Sequence, residues 1–260
     1  MWKGRRGSSV PYLGVDCGAD GVYVVAERAG TVLAHARFQG LDDVAWATWC
    51  QQYGLQGAKV WLGLPSAQVR WQSVVLPEGL REQEQVWMVT AEVGQRWGWN
   101  SAHDAIDFLP QAQGPTEVAA LELARLAEVQ LWAQRLGLQL QHVGVSVQAL
   151  LWTAQRATTA AVLVLEGEQL WLCAHQQVQR LSAWPRGDWF AQAAAILAQG
   201  PAVQRVEVVA LQALEPEVLA QWQLRLACEV VPLALPLEGD TMAWWGAWAW
   251  LRWGVEHAAV

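Results

Sequence analysis

Asp16 and Gly18 lie in the stretch LGVDCGADGVYVV, residues 13–25, where a carboxylate and several glycines separate two apolar runs. Apolar runs broken by glycine-containing turns predict a β-hairpin, continued by a third strand from Thr31 to Phe38. Backbone N–H groups in such a turn can approach a phosphate, and a neighbouring carboxylate can hold Mg²⁺. The alternative is a plain β-meander without a ligand, and this stretch alone does not decide between the two.

The composition excludes several classes of protein. The chain has 260 residues, of which 53% are hydrophobic and 16% charged, and this excludes a disordered chain. The net charge of −7 argues against direct nucleic-acid binding, because phosphate neutralisation needs clustered Lys and Arg. The four cysteines are scattered without a C-x-x-C pair, so we predict neither a metal site nor a disulfide framework.

The sequence carries no recognisable membrane or export segment. Lys3, Arg5 and Arg6 are not followed by the apolar region of a signal peptide. No apolar run reaches the roughly 18 residues that a transmembrane helix needs. We therefore expect a soluble, cytoplasmic protein. Its 19 tryptophans either fill core positions or mark an interface with a partner or a membrane.

The predicted elements repeat. Strand and helix patterns give the order β-β-β-α-β from Leu13 to Leu64, and the same order again from Ala160 to Leu211. Between the copies, a strand, a helix over Glu82–Trp97 and another strand are predicted. Glu117–Leu136 fits either one long helix or a short strand before a helix from Ala124. Two copies of this order are typical of the actin-like architecture, in which a nucleotide lies between the halves.

Several segments, taken in order, resemble the PilM/HofM family of type IV pilus and competence assembly proteins. They are GVDCG at 14–18, LPS at 64–66, VVLPEGL at 74–80, the helix with Glu82, Glu84 and Glu92, IDFL at 106–109, LGL at 136–138 and AWWGAWA at 243–249. The resemblance implies an α/β, actin-like (ribonuclease H-like) fold with duplicated lobes. The first lobe would span residues 10–155, with a small α+β domain inserted at about 70–136. Residues 156–260 would form a second, reduced lobe.

The resemblance also implies assembly rather than catalysis. We expect a non-enzymatic scaffold, peripheral at the cytoplasmic face of the inner membrane, that binds the N-terminal tail of a PilN-like single-pass membrane protein. Contact with the membrane would then run through this partner, and self-association is left open. The residues expected to line the groove are Leu64, Pro65, Ser66, Val69, Val86, Trp87 and Val89. For Val86 and Val89 the alternative is the core of the inserted domain. The cytoplasmic domain of the type II secretion protein GspL is similar in plan and gives an alternative function.

Nucleotide-binding relatives resemble GIDIGSSSVK in the first hairpin. Asp16 and Gly18 match this pattern, but Ala19 and Asp20 replace hydroxyls and Tyr23 replaces the lysine. Asp20 adds a negative charge and the loss of the lysine removes a positive one. Both changes weaken the attraction between this hairpin and a polyphosphate. We therefore expect no cofactor and no catalytic residue, with Asp16 and Gly18 as remnants of the site. The alternative is a weak ATPase in which Asp16 still holds Mg²⁺.

The last predicted helix, from about Thr241 to Trp253, is rich in tryptophan. Trp244, Trp245, Trp248, Trp250 and Trp253 cannot share one narrow stripe at 100° per residue. We expect this helix to be buried among elements of the second lobe. The alternative is an exposed flank that docks on a bilayer interface or a membrane-anchored partner, with Arg252 as a lipid-facing cation.

Overall fold

The computed structural model describes residues 10–18, 20–77, 79–109, 116–157, 161–175, 177–181, 188–210, 214–233 and 245–257. The strands are β1 Tyr12–Cys17, β2 Val22–Arg28, β3 Thr31–Phe38, β4 Lys59–Leu64, β5 Arg70–Val74, β6 Asp104–Leu109, β7 Thr116–Glu122, β8 Gln139–Val145, β9 Ala161–Glu166, β10 Gln169–Ala174, β11 Gln177–Arg180, β12 Arg205–Ala210 and β13 Glu229–Pro232. The helices are α1 Ala45–Gln52, α2 Glu82–Trp97, α3 Leu123–Arg135, α4 Ser146–Ala157, α5 Trp189–Leu197, α6 Pro216–Leu226 and α7 Trp245–His257.

Two five-stranded sheets share one topology. The first has the order β3-β2-β1-β4-β8 and the second the order β11-β10-β9-β12-β13. In each, the first three strands form an antiparallel meander, and the next two add in parallel. This repeated order is the ribonuclease H-like sheet of duplicated actin-like lobes. The predicted fold class is therefore confirmed.

A small α+β unit is inserted between β4 and β8. Its three strands pair antiparallel in the order β5-β7-β6, and α2 covers one face by packing Val89 and Val93 against Val74 and Val118. The pairing of β7 with both neighbours decides the ambiguous 117–136 segment in favour of a strand followed by a helix. The residue boundaries of the domains stay a prediction.

The two helices that end the lobes lie between the five-stranded sheets. α7 contacts β1, β2 and β4 of the first sheet, and α4 contacts β9 and β10 of the second as well as α7. Trp248 and Trp250 are buried and Trp253 is half-buried, whereas Trp244 lies outside the described residues. The helix is buried as expected, but it packs on the first sheet rather than within the second lobe.

Glycines let α7 approach the first sheet closely. Gly14, Gly63 and Gly144 lie in the adjacent strands β1, β4 and β8. A Cβ atom at Gly14 would overlap the Ala247 carbonyl oxygen, and one at Gly63 or Gly144 would overlap the Trp250 ring. The three glycines thus form a shallow groove across the sheet, and the Trp250 indole fills it.

A buried ion pair also fixes the middle of α7. Arg252 of α7 pairs with Glu27 of β2, and their side chains are 15% and 3% exposed. Arg252 also lies over the Trp248 ring, 5.7 Å from the ring centroid. The guanidinium therefore faces the protein interior, and the alternative of a lipid-facing Arg252 is wrong for this structure.

Candidate functional site

Asp16 is the penultimate residue of β1 and lies at the interface between the lobes. Its side chain is buried, and the Ser146 hydroxyl at the start of α4 donates a hydrogen bond to Oδ1. Gly246 of α7 lies directly against the carboxylate, because a Cβ atom there would overlap it. Burial raises the pKa of Asp16 to about 6, and the hydrogen bond from Ser146 partly opposes this change.

Glu166 occupies the corresponding end of β9 in the second sheet. Its carboxylate accepts two hydrogen bonds from Ser66 of the first lobe, from the backbone N–H at 2.9 Å and from the hydroxyl. Burial raises the pKa of Glu166 to about 7, and the nearby charge of Asp16 raises it further while Ser66 opposes the increase. Both hairpin carboxylates are thus satisfied by serines. One pair, Ser66 with Glu166, joins the two lobes.

The first hairpin does not fit a Mg²⁺-polyphosphate. Gly18 donates its N–H to the Gly21 carbonyl at 2.8 Å, so the turn itself uses this donor. The Asp20 carboxylate accepts from the Tyr23 hydroxyl at 2.8 Å and pairs with Arg37 at 3.2 Å. A phosphate would therefore face an exposed carboxylate at the tip, while Asp16, the Mg²⁺ ligand of the ATPase alternative, is enclosed.

The structure separates the predicted partner-binding residues. Leu64, Ser66, Val69 and Val89 are buried. Pro65 is half-buried. The exposed members are Val86 at 46% and Trp87 at 81%. Val89 belongs to the core of the inserted unit, as its alternative interpretation stated, and Val86 does not.

The sheet face of the inserted unit that lies opposite α2 is covered by the second lobe. Trp71 of β5 packs edge-on against Trp171 of β10, with ring centroids 4.7 Å apart. On the same face, Glu117 accepts from the Ser73 hydroxyl at 2.8 Å and lies 3.8 Å from Arg180 of β11. A partner that contacts Val69 must therefore displace part of this packing.

An open surface on α2 surrounds Trp87. Leu80, Arg81, Gln83, Glu84, Trp87 and Met88 line a cavity of about 520 Å³, which we name the Trp87 surface. Met88 is 39% exposed, and an Arg81–Glu84 ion pair of 2.7 Å closes one end. Sequence reasoning found Trp87 but missed Leu80 and Met88. Both residues are apolar and lie near Trp87 in the sequence, and this pattern could have indicated that they belong to the same surface.

Comparisons with known proteins agree on the fold. No protein-family model and no curated protein matches the sequence. A chain of the PilM-PilN type IV pilus biogenesis complex matches with a TM-score of 0.62 and 15% identity, over 95% of this chain and 99% of that chain. The cytoplasmic domain of EpsL, an inner-membrane component of the Vibrio cholerae type II secretion system, matches with a TM-score of 0.52 and 13% identity, over 86% and 90%.

At these identities the similarity shows the fold alone. The chain has the actin-like fold of these two proteins along nearly its whole length, as the resemblance to PilM predicted. Among the described helices, none is long and apolar enough to cross a membrane.

Proposed function

We propose that this chain is a non-enzymatic scaffold on the cytoplasmic side of an inner-membrane assembly machine of the type IV pilus kind. In this proposal it binds the N-terminal tail of a PilN-like membrane protein. The observation that carries the proposal is the structural match to a chain of the PilM-PilN complex over 95% of this chain. The Vibrio cholerae EpsL match points to the same class of machine.

The lobe interface supports a scaffold rather than an enzyme. Asp16 and Glu166, the two hairpin carboxylates, are each buried and held by a serine hydroxyl. Water, Mg²⁺ and a polyphosphate would have to displace these hydrogen bonds and α7 before any hydrolysis. The Ser66–Glu166 contact also holds the lobes together, as a fixed platform requires.

The Trp87 surface is the region that we assign to partner contact. A tryptophan that exposes 81% of its surface has no role in the core, and tryptophan is one of the residues enriched in the energetic centres of interfaces. Leu80 and Met88 extend its apolar area, and Arg81 and Glu84 supply a polar rim. Val86 and Pro65 are the other predicted groove residues that solvent reaches.

The test is direct binding of a synthetic peptide. A peptide copying the cytoplasmic tail of the PilN-like protein encoded beside this chain should bind saturably in calorimetry. Trp87→Ala should weaken binding at least tenfold, because it removes the central anchor. Leu224→Ala on α6, where the side chain is 83% exposed, is the matched control and should bind normally. No binding at high micromolar concentration by folded protein would contradict the proposal.

A type II secretion component is the second candidate, and the EpsL match is the observation that favours it. The same calorimetry with the cytoplasmic tail of a type II secretion membrane protein separates the two candidates. Tight binding of that tail, with none of the PilN-like tail, would assign the chain to the secretion machine.

The enzymatic alternative, a weak ATPase, predicts that Mg-ATP stabilises the protein, because a ligand that binds only the native state raises the melting temperature. We expect no such change at millimolar Mg-ATP, since Asp16 is enclosed by Ser146 and Gly246. Differential scanning fluorimetry provides the measurement. A clear rise in melting temperature that disappears in Asp16→Ala would show instead that the cleft binds nucleotide.

A further inference from the structure

One side chain of the second lobe holds a short turn of the first lobe. Glu166 is 7% exposed, and its carboxylate accepts hydrogen bonds from both the N–H and the hydroxyl of Ser66. Ser66 opens the 3₁₀ turn of residues 66–68, which connects β4 with β5. The Trp71 indole donates to the Ser66 carbonyl at 3.2 Å, so the first lobe holds the other side of this turn. We name the contact between the turn and Glu166 the Ser66–Glu166 lock.

Among the described residues, no positive charge compensates Glu166. The neighbouring β10, the turn itself and residues 146–154 of α4 contain no charged residue. On β12, the other neighbouring strand, Arg205 and Glu207 pair with each other at 3.1 Å near the start of the strand. The charge that acts on Glu166 from the first lobe is a second carboxylate, that of Asp16. The lock therefore contains a buried acid without a cation.

Ionisation of Glu166 destabilises the closed interface. A buried carboxylate loses the hydration of its charge, and a second negative charge nearby adds repulsion. The two donors of Ser66 offset only part of this cost. Burial raises the pKa of Glu166 to about 7, the bonds from Ser66 lower it, and the charge of Asp16 raises it. Separation of the turn from the β9–β10 hairpin would admit water and return the carboxyl to its ordinary acidity.

We propose that the Ser66–Glu166 lock is a pH-sensitive contact between the lobes. The lock is most stable while Glu166 is protonated, and it opens more often when Glu166 is ionised, because water then solvates the charge. Pro65 and Val69 flank the turn, so opening increases the access of solvent to two of the predicted partner-binding residues. The inference concerns the free protein and does not rest on the proposed function.

Amide hydrogen exchange of Ser66 measures the lock directly, because this N–H donates to Glu166 at 2.9 Å in the closed state. The protection factor is the intrinsic exchange rate at each pH divided by the observed rate. The closed state binds the proton more tightly than the open state, in which the pKa is the ordinary 4.5. Its advantage is therefore fully present below pH 4.5 and is lost as the pH rises through about 7. We expect the protection factor of Ser66 to fall about tenfold or more between pH 5 and pH 8.

Glu166→Gln separates the charge from the hydrogen bonds. The amide is neutral at every pH and still offers an acceptor to Ser66, so the fall in protection should be smaller by about threefold or more. Glu217→Gln, at an exposed position of α6, is the matched control and should behave as the unchanged protein. The Leu138 amide, which donates to the Ala133 carbonyl at 2.9 Å in the first lobe, reports on opening elsewhere and should lose less protection than Ser66.

A second readout is the titration of Glu166 itself. In protein labelled with ¹³C at the glutamate carboxyl groups, the Glu166 signal is assigned by its loss in Glu166→Gln. It should titrate with a midpoint near 7, well above the ordinary value of 4.5.

Three results would overturn the proposal. The first is a Glu166 carboxyl that titrates near its ordinary value of 4.5. The second is a protection factor of Ser66 that stays constant from pH 5 to pH 8, or that falls equally in Glu166→Gln and the unchanged protein. The third is an equal loss of protection at Ser66 and Leu138, since this result would assign the pH effect to unfolding of the whole first lobe.

Discussion

At the scale of single residues, the lobe interface is unusual in pairing its two acids with hydroxyls instead of cations. Asp16 and Glu166 each face a serine, and a hydroxyl cannot compensate a buried negative charge as an arginine does. Compared with the unfolded state, the native state therefore favours the protonated acid, which can also donate a hydrogen bond. This physical argument agrees with the raised pKa values of about 6 and about 7.

The raised pKa values give the protein a specific pH dependence. The native state binds more protons than the unfolded state between the ordinary pKa values, 3.8 and 4.5, and the raised values of about 6 and about 7. The stability contributed by the two acids is thus fully present below pH 4 and is lost as the pH rises through 6 and 7. A tenfold change in proton affinity corresponds to about 1.4 kcal/mol. Each acid therefore changes the free energy of unfolding by up to about 3 kcal/mol over this pH range.

The measurement is urea unfolding at pH values from 5 to 8. Glu166→Gln, which stays neutral and can still bond Ser66, should lose less stability over this range than the unchanged protein, and should be the more stable of the two at pH 8. Glu217→Gln, at an exposed position in the first turn of α6, should follow the unchanged protein. Parallel curves for Glu166→Gln and the unchanged protein would contradict the raised pKa of Glu166.

At the scale of elements, the position of α7 depends on glycines in the strands below it. Gly14 is the most constrained, because an added Cβ atom meets backbone atoms of Ala247 and Leu251, which cannot rotate away as a side chain can. Packing of this kind couples the end of the chain to β1, and through β1 to the hairpin that carries Asp16.

Gly14→Ala should therefore destabilise the protein by about 1–3 kcal/mol or more, as overpacking of a tight core does. Gly94→Ala is the control, since Gly94 lies inside α2 with its nearest neighbour, the Trp99 carbonyl oxygen, 3.6 Å from the added atom. It should raise the free energy of unfolding by up to about 1 kcal/mol through helix propensity. Denaturant titrations of both variants provide the measurement. If Gly14→Ala and the unchanged protein had the same free energy of unfolding, α7 would be able to move away from β1 without destabilising the fold.

At the scale of the whole molecule, the sequence predicted the features that depend on the local spacing of apolar residues. The duplicated order of strands and helices followed from apolar patterns, and the repeat indicated the fold class. The first and last residues of individual helices and strands followed less directly from the sequence. Asp42 and Asp43 suit the start of a helix, but the structure begins α1 at Ala45, where the Asp43 carboxylate accepts the Ala45 N–H at 2.9 Å. VAALEL at 118–123 suited both helix and strand, and only its pairing with β5 and β6 decided the outcome.

The candidate site depended more on tertiary contacts. Val86 and Val89 are equally apolar and three residues apart, yet one is 46% and the other 1% exposed, because the inserted sheet covers only one face of α2. The serines that hold Asp16 and Glu166 lie 130 and 100 residues away from them in sequence.

The structure also predicts how the whole molecule meets a lipid bilayer. Trp248 and Trp250 are buried against the first sheet, and Arg252 is paired with Glu27. Inserting α7 into a membrane would strip this helix from the sheet and leave Glu27 buried without its partner, a loss of about 3–5 kcal/mol. The net charge of −7 adds repulsion from anionic lipid. We therefore expect no pelleting with phosphatidylserine-containing vesicles at about 0.15 M salt, where the Debye length is about 8 Å.

Sedimentation should distinguish the two regions of the surface where tryptophan is found. Trp87→Ala removes the exposed indole of α2, and Trp253→Ala removes the half-buried indole of α7. Pelleting that is lost only in Trp87→Ala would contradict the expected absence of binding and would locate the lipid contact on α2, since an exposed tryptophan side chain favours the membrane–water interface. Strong pelleting of folded protein that is lost in Trp253→Ala and kept in Trp87→Ala would contradict the prediction and make α7 a membrane-binding element.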